Sequence, residues 1–450
     1  MFILNMLVAV VFGFIMTVIS VSNFAYSQDF DCTYTQITDT IGGITSDLKA
    51  NSDVSLVVFV SNQDLTGLNI DGNAEIFLYD VNTDTFMQAT DTTGDNNLSP
   101  TMSSDGSLVV FTSENDITGD NADGSREVFL LDTETLAIDQ LTDTTGGGAF
   151  VSRFPIINSD GTHIAFVSNR DHTGENPDGN PEVFLFDIDT LSFIQITDTT
   201  VISHNLRAGI SADGTMVSFQ SLGDLTGANA DLSQELYLYN ANTDVITQVT
   251  DSTDSTVSSN RNPAFSPDGS LIVFDSNLDL TGDNPDGSLE IFLYDILADS
   301  TTQITMTNSN SNLPRFSPDG NTIIFASLAD ITGGNPGNSR EIFLYDLGDD
   351  MFFQHTSSTG ASTFSTALNA DFTFLTSLNS SDLTGDNPDL NSEVFIAECL
   401  AVIQNIDNDS GGGGCSLAPS SGNISNLSFL MLFPALILIR RLIKRNYRAA

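Results

Sequence analysis

The sequence predicts an all-β fold, a seven-bladed β-propeller of four-stranded antiparallel blades, and an internal repeat is the main evidence. The tract Asp-x-Thr-Gly-x-Asn-x-Asp-x-x-x-Glu, called the acidic tract below, recurs at spacings of 51 to 55 residues. Strand-rich repeats of about 50 residues are typical of propellers and solenoids. The tracts begin at Asp64, Asp116, Asp171, Asp224, Asp279, Asp330 and Asp382, and they end at the closing glutamates Glu75, Glu127, Glu182, Glu235, Glu290, Glu341 and Glu393.

One repeat divides into four predicted strands, as the copy around residue 280 shows. Residues 261–265 form a short extended piece, and Ser266-Pro267-Asp268-Gly269 has the chemistry of a turn. Residues 271–274 form an apolar second strand, the acidic tract is a loop, and residues 290–295 and 302–305 form the third and fourth strands. Because the third strand is apolar on both faces, its sheet is expected to lie between two neighbouring sheets.

The two ends of the repeat array predict a closed ring. Six repeats carry a Gln-x-Thr signature in the fourth strand, whereas the seventh has no good copy after residue 400. The missing copy, Gln36-Ile37-Thr38, precedes the first repeat, so the N-terminal strand is expected to complete the seventh blade. Closure would bring Cys32 close to Cys399, and exported proteins keep disulfides. We therefore predict a Cys32–Cys399 disulfide, with two free buried thiols as the alternative.

The charge is strongly acidic. The chain has 59 acids and 13 bases, and five of the bases lie in the last eleven residues, so residues 28–439 carry 59 acids and 8 bases, a formal charge of −51. Such a surface disfavours nucleic acid, whose binding requires Lys and Arg at phosphates. It suits cations, basic partners or a saline medium, and composition leaves these alternatives open.

The two termini predict export and anchoring. Residues 1–27 read as a signal peptide, with an apolar stretch over 2–21 and small residues before Gln28, although an uncleaved anchor is an alternative because no basic residue precedes the stretch. The propeller is assigned to 28–404, a Gly/Ser/Asn-rich linker to 405–426, and a hydrophobic anchor or sorting segment with a basic tail to 427–450. The apolar run 427–439 is shorter than the ~20 residues that span a bilayer comfortably. The expected location is periplasmic or at the cell surface, attached to the membrane.

Two resemblances accompany these patterns. Phe265-Ser266-Pro267-Asp268-Gly269 and Phe316-Ser317-Pro318-Asp319-Gly320, followed by an apolar strand and then Glu-Ile-Phe-Leu-Tyr-Asp, resemble the repeats of TolB-type propellers, also called WD40-like or PD40 repeats. The resemblance covers residues 34–400 and implies the propeller fold, which serves binding proteins and non-catalytic peptidase domains alike. The C-terminal tail, with Gly411–Gly414 and then Cys415, resembles the Gly-rich sorting signals of exported bacterial proteins and implies a role for Cys415 in anchoring.

The acidic tracts are candidate calcium sites, because all seven connect second to third strands and so emerge on one face. Ca²⁺ takes six to eight oxygen ligands, and the tract partly resembles the calcium loops of integrin-type repeats. The alternative is structural: Asp and Asn close Asx-turns, and the glutamate fixes the loop to its strand. The candidate ligands are Asp116, Asn121, Asp123, Glu127, Asp279, Asp283, Asn284, Asp286, Glu290, Asp382, Asn387, Asp389 and Glu393.

Four arginines in the first strands are expected to line the central channel: Arg153, Arg207, Arg261 and Arg315. They would form a basic rim for an anionic group, or they would pair with nearby carboxylates.

No catalytic motif stands out. The four histidines fall at unrelated repeat positions, and the chain has no Gly-x-Ser-x-Gly elbow. The sequence therefore favours a non-catalytic exported binding or scaffold propeller for a protein, peptide or glycan. The alternatives are a calcium-binding adhesion-type propeller and a hydrolase or lyase acting on polysaccharide.

Overall fold

The computed structural model describes residues 28–43, 45–94, 96–144, 152–199, 206–252, 260–356, 363–368, 374–380 and 384–403. The predicted signal peptide, the linker, the anchor with Cys415, and Asp382 lie outside these residues. No helix that could cross a membrane occurs in the described part of the chain.

Within those residues the strands form seven four-stranded antiparallel sheets, numbered here in chain order. The prediction of an all-β propeller of four-stranded antiparallel blades is confirmed. Sheet 1 contains β2 (Thr45–Ala50), β3 (Leu56–Ser61), β4 (Glu75–Asp80) and β5 (Thr85–Gln88); sheet 2 contains β6 (Asn97–Met102), β7 (Leu108–Ser113), β8 (Glu127–Asp132) and β9 (Ile138–Gln140); sheet 3 contains β10 (Arg153–Ile157), β11 (His163–Ser168), β12 (Glu182–Asp187) and β13 (Ser192–Gln195); sheet 4 contains β14 (Leu206–Ile210), β15 (Met216–Ser221), β16 (Glu235–Asn240) and β17 (Val245–Gln248). Sheet 5 contains β18 (Asn260–Phe265), β19 (Leu271–Ser276), β20 (Glu290–Asp295) and β21 (Ser300–Gln303); sheet 6 contains β22 (Ser311–Phe316), β23 (Thr322–Ser327), β24 (Glu341–Asp346) and β25 (Met351–Gln354); sheet 7 contains β26 (Thr363–Leu368), β27 (Phe374–Asn379), β28 (Glu393–Ile403) and the N-terminal β1 (Gln28–Gln36).

The core lies between neighbouring sheets, which explains why the second and third strands are apolar on both faces. In sheets 1 to 6 an aromatic residue of the second strand stacks on its cross-strand partner in the third, as Phe274 does on Phe292 with ring centroids 5.7 Å apart. Both rings are fully buried. Clusters of buried residues join each sheet to the next; one of them contains Val273 of sheet 5 and Ile323 of sheet 6.

Sheet 7 is built from both ends of the chain. β1 pairs antiparallel with β28, which places the N-terminal copy of Gln-x-Thr where the sequence predicted it. Val394 and Ile396 of β28 then pack in one buried cluster with Val57 and Phe59 of sheet 1. The last sheet therefore contacts the first.

The predicted disulfide is compatible with the backbone of this pair. Cys32 and Cys399 are direct partners in the β1–β28 register. Directly opposite residues of antiparallel strands have Cα atoms about 4.5–5.5 Å apart, within the range that a disulfide requires. Their side chains lie outside the described part of the structure, so the bond stays a prediction.

The two ends of the sheets define two faces of the domain. The acidic tracts join second to third strands on one side, called the tract face. The tight turns between first and second strands and between third and fourth strands lie on the other, called the turn face. Because β28 starts at the tract face and ends at Ile403, the pair Gln28–Ile403 lies on the turn-face side. Both described chain ends therefore leave from that side.

The first strand of each sheet is innermost, and successive first strands contact each other from sheet 7 through sheet 1 to sheet 6. Sheets 6 and 7 meet in a buried cluster that contains Ile324 and Ala397. The first strands of all seven sheets show a break in register, as between Arg261 and Ala264 of β18. A residue at the break has positive φ in five of them, including Asn262 (φ 53°) and Leu313 (φ 57°). Such bulges bend a strand and re-aim its side chains, here beside the central channel.

Candidate functional site: the tract face and the channel mouth

The closing glutamates are buried and fully engaged by the protein. Glu127 illustrates the arrangement: its Oε1 accepts hydrogen bonds from Ser125 Oγ (2.7 Å) and from the backbone N–H of Thr144 (2.9 Å). Its Oε2 accepts from Thr142 Oγ1, whose oxygen in turn accepts from the N–H of Val128 (2.9 Å). The glutamate thus joins the start of the third strand to the end of the fourth.

The same clamp recurs along the chain. Each closing glutamate is fully buried and accepts from a threonine hydroxyl at the end of a fourth strand. In sheet 7 the donors come from the N-terminal segment: Glu393 Oε1 accepts from Thr40 N (2.7 Å) and Thr40 Oγ1 (2.6 Å), and Oε2 accepts from Thr38 Oγ1. A clamp that is local elsewhere therefore joins residues more than 350 positions apart here.

Burial raises the pKa of Glu127, Glu182 and Glu290 above the ordinary value of a glutamate, and the threonine hydrogen bonds oppose this shift. These carboxylates face protein donors rather than solvent, so they do not present themselves to a ligand.

The other tract residues are also used by the fold. The tract threonine donates to the glutamine of the fourth strand in all seven sheets, at 2.9 Å for Thr281–Gln303 and 3.2 Å for Thr384–Gln36. The tract asparagine is buried, and its Nδ2 donates to the carbonyl four residues later, as from Asn284 to Ser288 (2.9 Å). The threonine, asparagine and closing glutamate therefore lock the loop onto its own sheet.

The first tract position, and the eighth in every copy except that of sheet 6, where Gly337 stands, hold carboxylates, and those of Asp279, Asp286, Asp116 and Asp123 are exposed and have local roles. Asp279 Oδ1 accepts from the N–H of Asn284 (2.9 Å), and Asp286 Oδ1 accepts from Ser288 Oγ (2.9 Å). Asp116 accepts in the same way from the N–H of Asn121 (2.9 Å), and Asp123 from Ser125 Oγ (2.9 Å). These are Asx-type loop closures.

The structure does not support the calcium hypothesis. The candidate ligands are split between buried residues bonded to the protein, such as Asn121, Asn387, Glu290 and Glu393, and exposed residues such as Asp283 and Asp389. Among the described residues no group of three or more His, Cys, Asp or Glu side chains could hold a metal ion. The physical reason is that the carboxylates of Glu127, Glu290 and Glu393 already accept hydrogen bonds from the protein, as those of Asp116 and Asp279 do within their loops. The structural interpretation of the tract accounts for these contacts.

We expect Asn284→Ala to lower the free energy of unfolding by about 2 kcal/mol, because it leaves buried carbonyl groups without their donor. The matched control is Asp283→Ala, which truncates the exposed neighbour and is expected to cost less than about 0.5 kcal/mol. Urea denaturation with and without calcium measures both. Stabilisation of the wild type by calcium that disappears in Asp283→Ala would restore the metal hypothesis.

The four predicted channel arginines all lie in first strands, but they occupy different levels. Arg153 and Arg261 share one register position near the tract face, opposite Val167 and Asp275. Arg315, opposite Ile324, lies nearer the turn face, and Lys49 shares its position opposite Val58. Arg207 lies in the register break of β14, and its side chain is outside the described part. Arg153 and Arg261 therefore occupy one level along the first strands, and Arg315 and Lys49 another.

The mouth of the channel near sheets 5 and 6 contains a buried carboxylate that the sequence analysis did not single out. Asp275 is completely buried, and its Oδ1 accepts from Asn262 Nδ2 (2.7 Å) and from the N–H of Leu313 (3.3 Å). Its Oδ2 lies 3.6 Å from Arg261 Nε. Comparison of repeats could have revealed it, since the other sheets have Val60, Thr112, Val167, Gln220, Ala326 or Leu378 at this position.

Two further arginines lie directly before closing glutamates. Arg340 Nη2 donates to Asn312 Oδ1 (2.5 Å), and Arg126 forms an ion pair with Glu114 (2.6 Å). Burial lowers the pKa of Arg340, and the negative charge of Asp275 opposes this shift. Burial also lowers the pKa of Arg153, and the positive charge of Arg126 adds to that shift. Arg261 and Arg126 thus pair with carboxylates, those of Asp275 and Glu114 respectively.

Comparison with known proteins gives a likeness of fold. No protein-family model matches the chain, and no curated protein matches it. An oligogalacturonate lyase solved in complex with manganese aligns over 83% of this chain and 96% of its own, with a TM-score of 0.55 and 15% identity. A second oligogalacturonate lyase, from Vibrio parahaemolyticus, aligns over 83% and 97% with a TM-score of 0.50 and 16% identity. TolB from Acinetobacter baumannii aligns over 71% and 81% with a TM-score of 0.39 and 16% identity. The chain is thus similar in fold to solved β-propellers.

Proposed function

We propose that this chain is an exported, non-catalytic binding or scaffold propeller that holds a protein, peptide or glycan ligand against its tract face. The position of the chain ends carries the proposal. Gln28 and Ile403 pair on the turn-face side, so attachment through residues 1–27 or 404–450 leaves the tract face accessible. The composition of both terminal segments supports export and membrane attachment.

The tract face has the chemistry of a polar binding surface. The buried asparagines and glutamates perform the structural role, which leaves the fifth tract position free to vary: it holds the exposed acids Asp120, Glu175, Asp283 and Asp386. Exposed carboxylates of one sign speed the encounter with basic groups and set the orientation of a partner. A ligand with basic groups therefore fits this face.

A variant that neutralises these four acids tests the proposal. The change D120N/E175Q/D283N/D386N keeps the size of each side chain and is expected to weaken ligand capture about tenfold at low salt, with a smaller effect at high salt. Pull-down from the cell envelope and a glycan array, both with the full chain in detergent, identify and rank the ligands. Equal capture by the variant and the wild type would contradict the assignment to the tract face.

A polysaccharide-acting hydrolase or lyase is the second candidate. The arginines on the first strands favour it, because guanidinium groups recognise the carboxylates of acidic sugars. The two lyases similar in fold are named for oligogalacturonate, an anionic substrate. Turnover of oligogalacturonate by the wild type, with or without manganese, that is lost in Arg261→Gln would replace the non-catalytic proposal.

A further inference from the structure

The few bases of the propeller are concentrated at its centre. Of the eight bases in residues 28–439, five lie on the innermost strands: Lys49, Arg153, Arg207, Arg261 and Arg315. Those strands contain a single acid, Asp47, so they carry a formal charge of +4 within a segment whose total is −51. The sign of the charge therefore reverses between the exposed loops and the channel.

Two more of the eight bases lie at the tract ends of sheets 2 and 6. Arg126 and Arg340 each precede a closing glutamate directly, at the end where second and third strands meet the tract. Arg340 donates to Asn312, which lies in the first strand of the same sheet, β22. In sheet 6 an arginine from the start of a third strand thus contacts a first strand, at the end where Arg261 lies in sheet 5.

Between sheets 5 and 6, the carboxylate of Asp275 orients the side chain of Arg261. Asp275 is fully buried, whereas 40% of the Arg261 side-chain surface is exposed. Asp275 Oδ2 approaches the guanidinium of Arg261 from its Nε edge at 3.6 Å, while the other oxygen is held by Asn262 and Leu313. A buried carboxylate fixed in this way orients the arginine and leaves part of its guanidinium accessible.

We propose that the tract end of the channel, at Arg261 and Arg340 around Asp275, binds an oxyanion group of a ligand: a carboxylate, sulfate or phosphate. Arg340 is tied to this site through Asn312, whose chain neighbour Leu313 donates its N–H to Asp275. Arginine presents planar pairs of N–H donors that match the oxygens of such groups. Asp275 is a positioning residue, because it touches Arg261 rather than the ligand.

This anion site is distinct from the acidic tract face, and the proposal does not depend on the function proposed above. Anions reach it past exposed carboxylates, so small or flexible anionic groups are favoured over broad polyanionic surfaces. Because the surrounding loops are strongly acidic, the arginines attract an anion only close to the channel mouth.

Titration calorimetry of the full chain in detergent tests the site with three probes: inorganic sulfate, a uronic-acid trisaccharide and an uncharged trisaccharide. Binding of sulfate and of the acidic sugar is expected, and binding of the neutral sugar is not. A preference for the trisaccharide over sulfate would assign the site to a carboxylated glycan, and the reverse to a free oxyanion. Failure of both anionic probes to bind the wild type would overturn the proposal.

Matched variants separate the site from general charge effects. Arg340→Gln and the double variant R261Q/D275N, which removes both charges of the Arg261–Asp275 pair, are each expected to weaken binding tenfold or more. Arg170→Gln removes a base of the tract loop in sheet 3, outside this group, and is expected to leave binding within twofold of the wild type. Equal losses in Arg170→Gln and Arg340→Gln would mean nonspecific attraction and would also overturn the proposal. Circular dichroism confirms that each variant is folded.

Discussion

Replacing Glu393 by alanine is expected to lower the free energy of unfolding by about 3–5 kcal/mol, because several buried donors lose their acceptor at once. Thr38 Oγ1, Thr40 N and Thr40 Oγ1 all donate to this carboxylate. Thr38 Oγ1 also accepts from the N–H of Val394 (2.9 Å), so the change reaches the β1–β28 junction itself. Urea denaturation of the full chain measures the loss.

Two controls separate the joining of the chain ends from local effects. Glu398→Ala truncates an exposed glutamate of the same strand and is expected to cost less than about 0.5 kcal/mol. Glu290→Ala removes an equivalent clamp that lies within one sheet. We expect both Glu290→Ala and Glu393→Ala to destabilise the chain, but only Glu393→Ala to speed amide hydrogen exchange in residues 37–40. If Glu393→Ala unfolds at the same urea concentration as Glu398→Ala, the clamp does not hold the ends together.

Stability is expected to fall as the pH drops from about 6.5 to about 4, because the buried His355 and the half-buried His172 are held as neutral side chains. Burial lowers the pKa of both His172 and His355 to about 4. In this window the unfolded chain binds protons that the folded chain excludes. Each histidine therefore removes up to about 1.4 kcal/mol of stability per pH unit, and its effect is absent above the unfolded pKa.

The repeats supply the appropriate replacements. His172 stacks on Phe193 (centroids 5.0 Å apart) at a tract position where other sheets have Leu65 or Ile117. His355 occupies the buried middle position of Gln-x-Thr, where sheet 5 has Ile304. The double variant H172L/H355I should remain as stable as the wild type at neutral pH, or exceed it, and lose much less stability in acid.

The comparison between variant and wild type separates the contribution of the histidines to the pH dependence of stability from that of the carboxylates. Burial raises the pKa of Glu127, Glu182 and Glu290, and this works in the opposite direction: their folded forms take up protons more readily, so stability is recovered as the pH falls through the folded pKa. As a converse test, Leu280→His places a histidine at the equivalent position of sheet 5 and should steepen the acid loss. If the free energy of unfolding depends on pH in the same way in wild type and in H172L/H355I, the histidines do not govern the loss of stability in acid.

Much of the fold could be predicted because its signals are local and repeated. The turn around Asp268-Gly269, the apolar third strand starting at Glu290, and the N-terminal Gln36-Ile37-Thr38 are each visible within a few residues. In such segments the period of the apolar residues agrees with the burial pattern, so the spacing of the motifs indicates four strands in each repeat. The position of the N-terminal motif likewise indicates the pairing of β1 with β28.

The candidate site was harder to predict, because the sequence shows which residues carry oxygen ligands but not whether those oxygens already accept hydrogen bonds from the protein. Glu290 and Asp283 belong to the same tract, yet one is buried under threonine donors and the other is exposed. A second threonine, seventeen residues after the glutamate as at Thr92 and Thr307, was a usable signal for the clamp. Asp275 had a signal too, since it is the acid at an otherwise uncharged position.

The amino-acid sequence by itself determined the repeat, the four strands of each unit and the acidity of the loops, because these depend on periodicity and composition. Only the tertiary structure decided which carboxylates are available: packing against fourth-strand threonines buries the closing glutamates of the acidic tracts. The register of β18 and β19 sets Asp275 opposite Arg261 within sheet 5. Packing of sheet 6 against sheet 5 then places the N–H of Leu313 on Asp275 and brings Arg340 near it. Such contacts depend on how neighbouring sheets face each other, and spacing along one chain does not contain that information.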